Sequence, residues 1–204
     1  MTEKSVHVLI FDGLADWEPA LALAMLRDSG IPVTTVGFGS EVVTTAAGLR
    51  VVPDLSWEQV QIEKVRLLLL PGGDAWQRGE YPTAAFEEKL NALLTARVPV
   101  AAICGATVAL ARAGTFEGRA HTSNAAEWLQ SIAKDYPGSD QYRDELVVRA
   151  DGLITAPGTA PVEFAREVIA ELQAMPSDKL GDWFTLFKTG RMPAGVDPAQ
   201  LFQS

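Results

Sequence analysis

Residues 98–114 read VPVAAICGATVALARAG. The first seven, 98–104, form a continuous apolar run, as expected of a strand covered on both faces. The rest is rich in strong helix formers and stops at Gly114, the residue type that most readily closes a helix. A strand passing straight into a helix is half of a parallel crossover unit. At the junction sits Cys104, the chain's only cysteine.

The same alternation continues outward from this junction. VRLLLL (65–70) is a second buried run, ending at Pro71-Gly72-Gly73, and TAAFEEKLNALLTAR (83–97) is the helix that leads from it to residues 98–104. Nearer the amino terminus, VHVLIF (6–11) and IPVTTVGF (31–38) read as strands. Between them DWEPALALAMLRDSG has helical spacing, with Asp16 as N-cap, Pro19 tolerable in the first turn and Gly30 as the stop. EVVTTAAGLRVVPD reads as a hairpin excursion turning near Ala47-Gly48, and WEQVQIEK as a short helix. On the carboxyl side, NAAEWLQSIAKDY (124–136) is a helix capped by Asn124. ELVVRADGLITA (145–156) holds two strands around Asp151-Gly152, a type I′ hairpin signal. Helices follow over 160–175 and 178–188.

This pattern predicts an α/β fold, a mainly parallel sheet with helices on both faces. No internal repeat or linker divides the chain. One domain is expected over 1–204, with the Gly- and Pro-bearing tail 189–204 loosely held.

Of the 204 residues, 48% are hydrophobic and 21% charged, which suits a sizeable core. A net charge of −9 argues against a nucleic-acid or anionic-membrane surface. No stretch approaches the roughly 18 apolar residues of a membrane span, and the run in MTEKSVHVLIF is too short for a signal peptide. One cysteine cannot form an internal disulfide or a metal cluster, so a cytoplasmic location is expected. The two histidines, His7 and His121, leave little material for a zinc site. Neither metal nor cofactor is expected, and the expected partner is a small-molecule substrate. His7 lies inside the first apolar run and reads as a buried or sheet-edge imidazole.

Ligands of open parallel sheets bind beyond the carboxyl ends of the strands. Three strand ends carry suggestive residues: FDGLADWE with Glu18, the Pro71-Gly72-Gly73 turn, and Cys104-Gly105. A thiol in a tight strand-to-helix turn faces free N–H groups and the positive end of the helix dipole, and should titrate below its reference of about 8.5. Gly105 suits so sharp a turn. This is the cysteine counterpart of a nucleophile elbow. The alternative reading makes Cys104 a small buried hydrophobe. The N–H groups of Gly72, Gly73 and Gly105 are candidates for an oxyanion hole, and the alternative is a plain turn. Glu18 is either an ordinary acidic residue in a first helical turn or a partner of the thiol. In the second case only its protonated form helps, because a carboxylate would repel the thiolate. His121, in GRAHTSN, is a candidate base or proton shuttle, against the alternative of a strand-edge histidine.

Taken in order, HVLIFDGLADWEPA, LLLLPGGDAW, AAICGATVALARAG and DGLITAPGTAPVEFAREV resemble the ThiJ/PfpI superfamily. That family includes relatives of the Parkinsonism-associated deglycase and of class I glutamine amidotransferase domains. The resemblance spans roughly residues 6–172 and implies a three-layer flavodoxin-like sandwich, usually a homodimer. It also implies a reactive Cys104, a protonated Glu18, and oxyanion donors at Gly73 and Gly105. The sequence departs from the family's better-known triads. Gly105 follows the cysteine where peptidase-like members often have histidine, and APGTAPVEFA lacks the later histidine of a glutamine amidotransferase. A gapless match puts Ser123 where deglycase-type relatives carry theirs. The wording CGAT and HTSN resembles a bacterial branch labelled type 1 glutamine amidotransferase or intracellular protease/amidase. The leading expectation is a cysteine-dependent enzyme acting on a small electrophilic carbon, glyoxalase/deglycase-like or amidase-like. The alternatives are a stress or redox sensor that works by oxidation of Cys104, and a chaperone-like dimer without turnover.

Overall fold

The computed structural model describes residues 4–197; the last part of the expected tail, 198–204, lies outside them. Five consecutive neighbours in a seven-stranded sheet run parallel. They are β2 (Val33–Gly37), β1 (Ser5–Ile10), β6 (Val65–Leu70), β7 (Val100–Ile103) and β9 (Leu153–Ala156). Short β5 (Leu55–Ser56) extends the β2 edge in parallel, and β8 (Val148–Ala150) pairs antiparallel with β9 at the other edge. The β8–β9 turn is the predicted hairpin, with φ of +49° at Asp151 and +77° at Gly152, as a type I′ turn requires. The excursion after β2 is likewise a hairpin, β3 (Val43–Thr44) on β4 (Arg50–Val51).

Helices cover both faces, and the strands show why. Successive side chains of a strand point to opposite faces, so VRLLLL divides into Leu68 and Leu70 on one side and Leu67 and Leu69 on the other, all fully buried. The first face packs against α2 (Asp74–Arg78), α3 (Thr83–Thr95), α4 (Ala106–Arg112) and α5 (Ala126–Ile132), through residues such as Trp76, Phe86 and Leu110. The second packs against α1 (Trp17–Asp28), α6 (Pro161–Glu171) and α7 (Ser177–Thr189), through Ala22, Phe164 and Trp183. The expected α/β sandwich is therefore present. Among the described residues, no helix is long and apolar enough to cross a membrane.

Three local expectations need correction, and one short helix was not foreseen. Asp16 makes no side-chain cap; its carboxylate instead accepts the Ala47 N–H at 2.7 Å and ties α1 to the excursion hairpin. Asn124 does not cap α5, whose N-cap is Ala125. WEQVQIEK forms two single 3₁₀ turns, Trp57–Gln59 and Ile62–Lys64. The short helix α2 has too few residues to show a periodicity.

Candidate active site

The ends of β1, β6, β7 and β9 lie side by side, and each delivers a functional group to one spot. Strand β7 leads directly into Cys104, whose φ is +59°. The left-handed region costs a residue with a side chain about 1 kcal/mol, so the surrounding bonds must hold it there. The Cys104 N–H donates to the Ala156 carbonyl of β9 at 2.9 Å. Its own carbonyl accepts the Thr107 N–H at 3.1 Å and the Thr107 hydroxyl at 2.6 Å. The Thr107 hydroxyl also meets Ser123 Oγ at 2.6 Å, which fastens the elbow to the 121–125 segment. Strain thus falls on the cysteine, not on Gly105, which has an ordinary helical φ of −55°. Gly105 is required for a different reason: a Cβ there would stand 2.7 Å from the Gly73 carbonyl oxygen. Its small size lets the β6 and β7 turns approach one another, and its N–H faces the sulfur.

Glu18, in the first turn of α1, is fully buried. Its Oε2 accepts the Gly72 N–H at 2.5 Å, while Oε1 is buried with no hydrogen-bond partner. Two glycines locate the carboxyl relative to the thiol. A Cβ on Gly158 would lie 2.9 Å from both Cys104 Sγ and Glu18 Oε1. A Cβ on Gly72 would lie 2.6 Å from both Cys104 Cβ and Glu18 Oε2. The sulfur and the unpartnered oxygen therefore pack together against Gly72 and Gly158, and can come so close only because neither glycine has a side chain.

The electrostatics reverse one expectation. Burial pushes Glu18 up to about 7 even though the Gly72 N–H favours its charged form. Burial, and then the facing Glu18 charge, push the Cys104 thiol up to about 11. The Asn124 amide and the Gly105 N–H, which act to lower it, are outweighed by burial and by the facing carboxylate. Near neutral pH the sulfur keeps its proton, and Glu18 is poised between its two forms.

The other predicted residues divide. Gly73 and Gly105 adjoin one another, a Cβ on Gly105 reaching to 2.7 Å of the Gly73 carbonyl oxygen and 3.3 Å of its nitrogen. The Gly72 N–H is already committed to Glu18, so Gly72 belongs to the carboxyl's support rather than to an oxyanion hole. His121 is fully buried and turned into the core. Its Nδ1 bonds the Arg119 carbonyl at 2.9 Å and its Nε2 the Tyr136 hydroxyl at 3.0 Å, and its ring stacks on Phe116 with centroids 3.9 Å apart. With both nitrogens engaged, it is not brought to the thiol as a shuttle. Asn124 stands in its place, with Nδ2 3.4 Å from Cys104 Sγ. Gly158, from the turn after β9, also reaches the site. The signal for it was available: Pro157-Gly158 follows a strand just as Pro71-Gly72 does.

The sequence profile of the DJ-1/PfpI family matches residues 4–171. A protein of Bacillus subtilis strain 168 described as the uncharacterized protease YoaZ is 34% identical over 197 residues, covering 93% of each chain. Protein dj-1beta of Drosophila melanogaster is 33% identical over 172 residues, covering 83% of this chain and 89% of its own. The crystal structure of a thiJ/pfpI family protein from Bacillus anthracis superposes with a TM-score of 0.86 at 35% identity, covering 100% of this chain and 96% of that one.

Proposed function

The chain belongs to the DJ-1/PfpI family, and from that premise we propose that it is a cysteine-dependent enzyme acting on a small electrophilic carbon, either an aldehyde-type carbonyl or an amide. One observation carries the reading: the Cys104 sulfur and the free Oε1 of buried Glu18 both lie within 2.9 Å of the point where a Gly158 Cβ would stand, which sets the two groups beside each other. A substrate carbon brought to the sulfur meets a nucleophile with a base beside it. The sulfur lone pair forms the S–C bond as the thiol proton passes to Oε1 of ionised Glu18. The carbonyl π pair moves to oxygen, whose charge the N–H groups of Gly73 and Gly105 would receive. Protonated Glu18 then returns its proton, to the oxygen of a hemithioacetal in the aldehyde case. In the amide case the proton goes to the departing nitrogen, leaving a thioester for water to cleave.

The raised thiol favours this reading over that of a redox sensor. Peroxide reacts with thiolate, and a sulfur pushed up to about 11 holds little of it near neutral pH. An enzyme with an adjacent base needs no standing thiolate.

The test is turnover of methylglyoxal and of a panel of small amides by the wild type and by Cys104→Ser. Turnover in the wild type that Cys104→Ser loses supports the proposal. Turnover that survives the substitution, or none on any substrate, overturns it.

A further inference from the structure

The exposed side chain of Asn124 is held at both ends. The Gly158 N–H donates to its Oδ1 at 2.9 Å, and its Nδ2 lies 3.4 Å from the Cys104 sulfur. The bond from Gly158 fixes which way the amide faces. A backbone N–H can only donate, so the atom it meets must be the oxygen, and the end turned to the sulfur must be the NH₂. Gly158 is itself secured, because its carbonyl accepts the Trp17 indole N–H at 3.3 Å. The indole belongs to the residue just before Glu18, so one chain of contacts runs from the start of α1 through the β9–α6 turn to the thiol.

We propose that Asn124 is a positioning residue whose latched amide donates to the Cys104 sulfur and favours its charged form. A donor aimed at sulfur stabilises the thiolate more than the thiol. Among the described residues, the groups that act on the sulfur's ionisation are the Glu18 carboxyl from α1, the Gly105 N–H from the start of α4, and this amide. Glu18 opposes the charge on sulfur, while Asn124 and Gly105 support it. An amide has no proton to exchange in this range. It therefore biases the sulfur without joining the proton traffic, which stays between the thiol and Glu18. The inference deepens the cysteine-enzyme reading and rests on it for its purpose, but its test reads the thiol directly.

The test is the pH dependence of iodoacetamide alkylation of Cys104 in the full-length chain, for the wild type, Asn124→Ala and Asn124→Asp. Asn124 is exposed, so neither substitution disturbs the core. Asn124→Ala should move the alkylation midpoint upward by about half to one pH unit, read as about three- to tenfold slower reaction at a fixed pH below it. Asn124→Asp should move it further, because a carboxylate keeps the Gly158 bond and sets a negative charge against the sulfur. A midpoint in Asn124→Ala at or below the wild type overturns the proposal, as does one in Asn124→Asp at or below that of Asn124→Ala. A purely structural role would change the melting temperature and leave the midpoints together. If the midpoints separate as expected while the wild type turns over no substrate, only the enzyme reading fails.

Discussion

The Gly72 N–H donates to Oε2 of Glu18 at 2.5 Å and leaves Oε1 as the oxygen of that carboxyl that faces the thiol without a partner. The bond does two things. It fixes the carboxyl plane, and it assigns the two oxygens separate duties, one held by the backbone and one free to take a proton.

The first prediction concerns that free oxygen. Glu18→Gln keeps an acceptor for Gly72 and removes the base. Turnover, measured as kcat/KM, should fall about 10²-fold or more, and the wild-type rise in rate through pH about 7 should vanish with it. The same substitution removes the charge facing the sulfur, so the Cys104 alkylation midpoint should move downward. A thiol that ionises more readily in a slower enzyme is the expected combination. A rate that holds or rises while the midpoint falls would reject Glu18 as the base.

Glu18 should also leave a mark on stability. Its carboxyl rises from an ordinary 4.5 to about 7 in the fold, so between those values the folded state binds more protons than the unfolded chain. Stability from this group is fully present below pH 4.5 and is lost as pH climbs to about 7. The change amounts to about 3 kcal/mol, as an order of magnitude. Urea denaturation at a series of pH values should show this decline in the wild type, and a flatter profile in Glu18→Gln.

Gly158→Ala tests the close approach of thiol and carboxyl. The new methyl would arrive 2.9 Å from both the sulfur and Oε1, closer than real Cβ contacts allow. We expect alkylation of Cys104 and turnover each to drop about tenfold or more, while far-ultraviolet circular dichroism stays unchanged. Wild-type alkylation rates in this variant would show that reagents reach the sulfur by another route.

His121→Ala separates core packing from catalysis. The substitution removes the stack on Phe116 and leaves the Tyr136 hydroxyl without its partner. A stability loss of about 2–4 kcal/mol is expected. The Cys104 alkylation midpoint should stay where it is in the wild type. A displaced midpoint would restore His121 to the site.

Much of the fold was legible because its causes are local. The VRLLLL and VPVAAIC runs announce strands buried on both faces, and helix stops and turn residues such as Gly30, Gly114 and Asp151-Gly152 sit where the structure uses them. Cys104, Glu18, Gly73 and Gly105 could be named because each ends or follows a strand, and a parallel sheet gathers such ends. Side chains with two plausible partners were misread. Asp16 and Asn124 both look like helix caps, since each precedes a helical run. Each found a better partner across the fold, Asp16 in the Ala47 N–H and Asn124 in Gly158 and the sulfur. His121 drew attention as a titratable side chain near the site in sequence, yet its ring lies in the core.

The order of residues alone settled that strands and helices alternate, that the sheet is covered on both faces, and that one cysteine stands at a strand-to-helix corner. Periodicity and turn chemistry act over a few neighbouring residues, so the chain carries them openly. Only the tertiary structure decided the surroundings of the site: the burial that pushes both thiol and carboxyl upward, and an amide where a histidine had seemed possible. Those depend on desolvation and on charges a few ångströms apart, contributed by segments as distant in sequence as Glu18, Cys104 and Gly158. Burial outweighed the Asn124 and Gly105 donors, and that balance exists only once the chain has folded around the thiol.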